Sequence, residues 1–105
     1  MSDLERMPGV VVTCRTRGGQ SERNSRLVAE VFDQLAAEDP GGVRYAAFRL
    51  ADDRTFHHVA LFDDPASNPL SDLSAFAAFQ HLLSSRCDQQ PNPSEAGLIG
   101  SYRMF

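Results

Sequence analysis

The stretch from Val43 to Phe62, VRYAAFRLADDRTFHHVALF, decides the fold of this chain. It contains two runs rich in β-branched and aromatic residues, and the acidic pair Asp52-Asp53 separates them. Two such runs around a short polar turn predict an antiparallel β-hairpin. If the turn has two residues, Ala47 lies opposite His58, and this register fixes the face of every other side chain in the hairpin.

The predicted register separates two adjacent histidines, because neighbouring residues on a strand point to opposite faces of the sheet. His58 shares its face with Tyr45, Arg49, Phe56 and Phe62. His57 lies on the other face with Ala46, Phe48, Leu50, Val59 and Leu61. Both faces are too apolar to lie in water, so we expect helices to cover one face and a second subunit to cover the other.

Length and charge limit the range of structures and partners. A chain of 105 residues forms one domain, in which we expect residues 1–8 to be a flexible arm and residues 9–105 to be the folded part. The net charge is -4, the pI is near 5.2 and the arginines form no basic stripe. Phosphate is not attracted to such a surface, so we expect no nucleic acid partner.

The start of the chain, MSDLERMPG, has no apolar run typical of a secretory signal, and nowhere do about 18 apolar residues occur in succession. We therefore expect a cytoplasmic protein with no membrane partner. Cys14 and Cys87 lack CxxC spacing, so we predict that both are reduced thiols. Three histidines without HxH or HExxH spacing give no reason to predict a metal site.

Before the hairpin, the sequence predicts one strand and one helix. The segment 10–16 is rich in β-branched residues and predicts the first strand. A helix follows, capped by Ser21 or Asn24, and it ends at the turn formers of segment 39–42. The apolar face of this helix consists of Leu27, Val28, Val31, Phe32 and Leu35.

After the hairpin, a second helix is predicted to begin at Ser71, with Phe76 and Phe79 packed in the core. The segment 87–95 contains two prolines and predicts a return loop, and the segment 98–105 predicts a last strand. The order β-α-β-β-α-β is that of the ferredoxin-like α+β fold. We expect an antiparallel four-stranded sheet in the order 4-1-3-2, with both helices on one face.

His58 is the strongest candidate for chemistry, because imidazole can take or donate a proton near neutral pH. The alternative is a half-buried structural histidine that is bonded to a neighbour. Tyr45 and Tyr102 could each direct a hydroxyl into a cavity, although such rings are also common in structural roles. Cys14 lies centrally in an apolar strand, where we expect its thiol to behave as a small hydrophobic group.

Several segments match a known family pattern across nearly the whole chain: VVVTCRTR from residue 10, GVRY from residue 42, Thr55-Phe56, NPLSDLSAFAAFQ from residue 68 and GSYRMF from residue 100. With these segments the chain resembles the antibiotic biosynthesis monooxygenase-like family of dimeric α+β barrels. The resemblance implies a ferredoxin-like subunit that forms a homodimer through its β-sheet, with a small cavity between sheet and helices. Some members oxidise aromatic polyketides or quinols with molecular oxygen and without metal or flavin, and others degrade haem.

In the third strand, Phe56 matches the Phe of the family. The positions of the family's Asn, Glu and Trp are occupied here by His58, Ala60 and Phe62. Because the cavity face keeps Tyr45 and His58, we predict His58 as the candidate base and Tyr45 as the second catalytic residue. The residues predicted to contact the substrate are Phe62, Phe56, Arg49 and Tyr102.

The predicted function is that of a monooxygenase-like enzyme acting on a small aromatic, polyketide or quinol substrate between sheet and helices. No cofactor is expected, and molecular oxygen would be the co-substrate. One alternative is a non-catalytic dimeric protein of the same fold that binds a ligand or serves as a scaffold. Another is a polyketide cyclase or isomerase in which His58 transfers a proton.

Overall fold

The structure, a computed structural model, describes residues 8–104. Within this range the chain forms one four-stranded antiparallel sheet with the order β2-β3-β1-β4, which is the predicted order read from the other edge. The predicted ferredoxin-like α+β fold is therefore confirmed. The elements are β1 (Pro8–Thr16), α1 (Ser21–Glu38), β2 (Val43–Arg49), β3 (Thr55–Phe62), a 3₁₀ turn (Pro69–Asp72), α2 (Ser74–Gln80), α3 (Leu83–Arg86) and β4 (Cys87–Gly97).

The hairpin has the predicted register, with Ala47 opposite His58. Its connection is wider than the predicted two residues, because residues 50–54 lie between the strands. The Asp52 carboxylate accepts a hydrogen bond from the Thr55 hydroxyl. It also accepts bonds from the backbone N–H of Arg54, at 2.9 Å, and from that of Thr55, at 2.8 Å. These bonds stabilise the turn and lower the pKa of Asp52 to about 2.

Helix α1 packs on the sheet through the predicted apolar face, in which Val28 and Val31 are buried. The predicted cap is wrong, because Gln20 precedes the helix and caps it without a side-chain hydrogen bond. Ser21 and Asn24 are buried inside the helix instead. Their polar side chains bond neighbouring elements, so they connect the helix to the sheet and to α3.

The prediction of one continuous second helix from Ser71 is wrong. This segment is divided into a 3₁₀ turn, α2 and α3. The guanidinium of Arg86 donates hydrogen bonds to the backbone carbonyls of Phe79 and His81, and the latter bond measures 2.9 Å. These carbonyls would otherwise accept bonds within a continuing helix. Leu82 then adopts a left-handed conformation with φ 58°, which ends the helical path.

The last strand is Cys87–Gly97, whereas the sequence predicted a loop there and a strand at 98–105. This correction has a physical reason, because β4 lies at the edge of the sheet and pairs only with β1. An edge strand tolerates proline where the missing N–H would face away from the ladder. Pro91 and Pro93 are two positions apart, so both remove a donor from the same outer side.

The helices cover one face of the sheet and leave the other face open. The core between the helices and the covered face contains the buried residues Val28, Val31, Ala60, Leu70, Leu73 and Phe79. On the open face Phe48 is 44% exposed, while Leu61 is only 3% exposed. Leu61 packs over Gly9. A Cβ atom added at Gly9 would lie 2.6 Å from Leu61 Cδ2, so Leu61 can take this position only because residue 9 is glycine. The covered face is therefore the one that can hold a buried site.

Candidate functional site

A cavity of about 260 Å³ lies between the covered face of the sheet and the helices. An apolar cavity of about 150 Å³ is enough to hold benzene, so this cavity has room for about two fused aromatic rings. Its lining is mostly apolar, which favours a flat hydrophobic ligand. The lining residues are Val10, Val12, Cys14, Tyr45, His58, Ala60, Phe62, Asn68, Leu70, Phe76, Phe79, Gln80, Leu83, Pro91 and Pro93.

Tyr45 and His58 form the polar centre of the cavity wall. The hairpin register places them on the same face, and the Tyr45 hydroxyl lies 2.7 Å from His58 Nδ1. The second ring nitrogen of His58, Nε2, is buried and has no hydrogen-bond partner among residues 8–104. A buried polar atom without a partner is costly, and in a cavity wall it is suited to bond a ligand.

The hydrogen bond between Tyr45 and His58 favours one protonation pattern. If the tyrosine hydroxyl donates to Nδ1, then Nε2 carries the proton and is the one unsatisfied donor of the pair. The opposite direction would leave both the tyrosine O–H and the Nε2 lone pair unsatisfied. The first pattern leaves fewer buried groups unpaired, so we infer that Nε2 is a hydrogen-bond donor when the cavity is free.

Burial keeps both members of the pair uncharged. It lowers the pKa of His58 to about 4, with a smaller contribution from the nearby His57. Burial also raises the pKa of the Tyr45 hydroxyl well above its ordinary value. At neutral pH the cavity therefore presents a neutral imidazole and a neutral phenol to its ligand.

Aromatic rings hold the pair in place from both sides. The Phe32 ring stacks on Tyr45 with centroids 5.0 Å apart and an angle of 8° between the planes. At its hydroxyl end, the Tyr45 ring meets the edge of the His58 ring, with centroids 5.9 Å apart and an angle of 17° between the planes. Phe79 contacts His58 from α2 at 5.4 Å. The imidazole is thus fixed between β2 and α2.

Three of the six predicted site residues, Tyr45, His58 and Phe62, line the cavity. The other three do not. Arg49 points to the first turn of α1, where its guanidinium bonds Glu22 at 2.9 Å. Phe56 is buried in a separate cluster with the two cysteines, and Tyr102 is 79% exposed outside the last strand.

The sequence missed the part of the cavity wall that β4 provides. Pro91 and Pro93 line the cavity, although their segment was predicted to be a loop. Phe76 and Phe79 were predicted as core residues, and they are also cavity residues. An apolar stripe on a helix predicts both roles equally, so only the position of the opposite strand distinguishes them.

The two cysteines are buried free thiols that share a small cluster with Phe56. Cys14 lines the cavity, but burial and the neighbouring Cys87 raise its pKa to about 12. A thiol with such a pKa is almost entirely protonated at neutral pH and is a poor nucleophile. Its contribution to the site is therefore that of a small hydrophobic group.

Arg86 is a buried cation, with only 4% of its surface exposed. The sequence did not indicate this burial. Its Nε donates to Asn24 Oδ1 at 3.2 Å, and its two other nitrogens donate to the carbonyls at the end of α2. The negative end of the α2 dipole favours this charge. Arg86 thus holds α2, and with it Phe79, against α1.

The described part of the chain contains neither a candidate metal site nor a helix that could span a membrane. Between residues 8 and 104 there is no group of three or more His, Cys, Asp or Glu side chains that could hold a metal ion. In the same range, no helix has the length and apolar character needed to cross a membrane.

Neither a family model nor a curated protein matches this sequence, but solved structures match its fold. A protein of unknown function from Nitrosomonas europaea superposes with a TM-score of 0.73 at 18% identity, over 94% of this chain and 95% of its own. A structure named antibiotic biosynthesis monooxygenase gives a TM-score of 0.73 at 14% identity, over 90% of this chain and 100% of its own.

A protein from Chloroflexus aurantiacus J-10-fl, to which the same name is given provisionally, matches with a TM-score of 0.71 at 15% identity. This match covers 94% of the present chain and 99% of the other. Likenesses of this kind establish a shared fold over nearly the full length of both chains. The chain therefore has the fold of structures named antibiotic biosynthesis monooxygenase, as its sequence resemblance implied.

Proposed function

We propose that this protein is a monooxygenase-like enzyme that binds a small phenol or quinol in the cavity and oxidises it with molecular oxygen, without a bound cofactor. The observation that carries the proposal is the unpartnered, buried Nε2 of His58 in an otherwise apolar cavity. A phenolic oxygen at this nitrogen would satisfy its hydrogen bond, and the ring would fill the apolar space.

In the proposed reaction, 1-naphthol serves as a model substrate with two fused rings. His58 first changes from the tautomer protonated at Nε2 to the one protonated at Nδ1, which then donates to the Tyr45 oxygen. The free Nε2 lone pair takes the phenolic proton, and the electron-rich anion then reacts with oxygen in the water-poor cavity. One oxygen atom forms a bond to the ring and the other leaves as water. The overall change from 1-naphthol and O₂ to 1,4-naphthoquinone and water balances atoms and electrons.

The electrostatics of the cavity narrow the substrate class. A base with a pKa of about 4 is neutral at pH 7 and can accept a proton, but it is weaker than an ordinary imidazole. Proton transfer to such a base is most favourable from an acidic phenol, such as one conjugated to a carbonyl group. The apolar lining and the room for about two rings favour a compact aromatic over a sugar, a nucleotide or a peptide.

Non-catalytic binding is the second candidate, and the inferred tautomer of His58 favours it. With its proton on Nε2, His58 donates to a carbonyl oxygen and takes no proton. A quinone would then bind without turnover, its oxygen at Nε2 and its ring in the cavity. The same residues serve both candidates, so the reaction with oxygen must separate them.

The test is to measure oxygen uptake and 1-naphthol affinity for the wild type, His58→Ala and His57→Ala. Loss of a general base should lower the rate by about 100- to 10,000-fold in His58→Ala. His57→Ala is the matched control, because its side chain lies on the open face, and it should keep the wild-type rate.

Equal rate losses in the two variants would contradict the assignment of the base. If no variant consumes oxygen and His58→Ala loses about 0.5 to 1.5 kcal/mol of binding free energy, the protein is a binder. A wild type that binds no aromatic ligand would contradict both candidates.

We also propose that the protein forms a homodimer through the open face of its sheet. Phe48 is 44% exposed there and Leu50 43%, and two apolar patches of this kind can bury each other around a twofold axis. Leu61, which was predicted to lie in this interface, is already buried within the single chain. Sedimentation at micromolar concentration should give the mass of a dimer, and a monomer would contradict the proposal.

A further inference from the structure

A surface groove lies beside Tyr45, at the end of α1, and has a volume of about 340 Å³. Most of its lining is apolar, and Asp39 provides its charged group. The groove is lined by Phe32, Leu35, Ala36, Asp39, Pro40, Gly41, Val43 and Tyr45.

Tyr45 lines both the groove and the cavity, so its side chain separates them. Its ring lies between Phe32, which belongs to the groove, and His58, which belongs to the cavity. The three rings are nearly parallel, at 8° and 17°. A flat ring in place of the tyrosine ring would therefore stack on Phe32 and reach the edge of the His58 ring.

Within residues 8–104, the Tyr45 hydroxyl makes one hydrogen bond, to His58 Nδ1. Turning the ring aside breaks this single bond, while a phenolic ligand oxygen stays at His58 Nε2. Fixed in its present position, the ring limits the cavity to about two fused rings. Removed or turned, it would join the cavity to the groove.

We propose that the groove is a second subsite for the far end of the ligand, and that the Tyr45 ring sets the length of ligand the protein accepts. This inference rests on the proposed function, since it needs an aromatic ligand in the cavity. The ligand class it adds is a linear aromatic of three rings, or a two-ring phenol with a short apolar chain. The carboxylate of Asp39 disfavours an anionic end in the groove.

The experiment compares the dissociation constants of 1-naphthol and 1-hydroxyanthracene, which differ by one linearly fused ring. The readout is the ratio of the two constants, because any change at His58 affects both ligands alike. Tyr45→Ala should improve the binding of the three-ring ligand relative to the two-ring ligand by about tenfold or more. Tyr45→Phe is the matched control, because it keeps the ring and removes only the hydroxyl, and its ratio should match that of the wild type.

A second pair of variants tests the groove itself. Phe32→Ala removes the support of the Tyr45 ring from the groove side, and it should shift the ratio in the same direction by about threefold. Leu35 lines the groove but not the cavity, so Leu35→Ala should weaken only the three-ring ligand when added to Tyr45→Ala.

An unchanged ratio in Tyr45→Ala, or an equal shift in Tyr45→Phe, would overturn the inference. If Tyr45→Ala does not fold, an unchanged ratio of dissociation constants in Phe32→Ala would overturn the inference. Either result leaves the proposed function intact as long as the wild type binds 1-naphthol. Failure of the wild type to bind 1-naphthol would contradict the proposed function, and the inference with it.

Discussion

The two faces of the sheet give adjacent histidines different surroundings. His58, on the covered face, is 6% exposed and bonds Tyr45 at 2.7 Å. His57 is half-buried on the open face, where its Nδ1 lies 2.9 Å from the Thr13 hydroxyl. The same type of side chain is thus a buried neutral group on one face and a partly solvated one on the other. Strand alternation, rather than residue type, decides which histidine can serve a cavity.

The largest expected difference between the faces concerns two phenylalanines. Phe79 is 5% exposed and belongs to the core on the covered side, whereas Phe48 is 44% exposed on the open side. Phe79→Ala should lower the free energy of unfolding by about 3 to 5 kcal/mol, because it removes a buried ring and leaves a cavity. Urea denaturation measures this loss.

Phe48→Ala is the matched control, and at a concentration at which the chain is monomeric it should change the free energy of unfolding by no more than about 0.5 kcal/mol. Comparable losses in the two variants would mean that the open face is as well packed as the covered one. The comparison between the faces would then fail.

The second difference concerns pH. The pKa of His58 is about 4 in the folded chain, whereas an unperturbed histidine has a pKa of about 6.5. Between these values the unfolded chain binds a proton that the folded chain does not. The free energy of unfolding should therefore fall as the pH falls from about 6.5 to about 4, by at most about 3 to 4 kcal/mol.

Urea denaturation across this pH range gives the slope. His58→Asn should remove most of this pH dependence, because an amide can still bond Tyr45 and does not titrate. His57→Asn, its counterpart on the open face, should retain it. A slope that is lost in His57→Asn and kept in His58→Asn would reverse the assignment of the two faces.

The smallest of the three differences concerns the hydrogen bonds of the two histidines. Tyr45→Phe leaves His58 Nδ1 buried without its partner, which should cost about 1 to 3 kcal/mol of stability. Thr13→Val removes the partner of His57, which water can replace on the half-buried open face, so the loss should stay near or below about 1 kcal/mol. Thermal unfolding of both variants ranks the two bonds, and a larger loss in Thr13→Val would contradict the comparison.

The hairpin register was predictable because alternation along two adjacent strands is a local signal. The sequence therefore placed His58 and Tyr45 on one face, and the structure brings them into contact. Placement on a face does not give the position along it. Arg49 and Phe56 share the face of His58 but lie next to the turn, whereas the cavity is lined by residues of the hairpin farther from the turn.

The last strand and the broken helix could not be predicted from local patterns. Pro91 and Pro93 indicate a loop unless the strand is known to lie at an edge, and this position depends on the order of the whole sheet. The break at Leu82 depends on Arg86, whose guanidinium takes the carbonyls at the end of α2. An arginine in a polar segment predicts exposure, and only the packing of α2 on α1 makes it buried.

The two prolines of β4 also govern how copies of this protein can meet. An exposed edge strand offers a row of N–H and C=O groups on which another chain can extend the sheet, and this is a common route to aggregation. Pro91 and Pro93 interrupt the donor row on the outer side of β4, so a strand added there would lack two hydrogen bonds. Growth of a continuous sheet across the β4 edge is therefore disfavoured, whereas β2 at the opposite edge contains no proline.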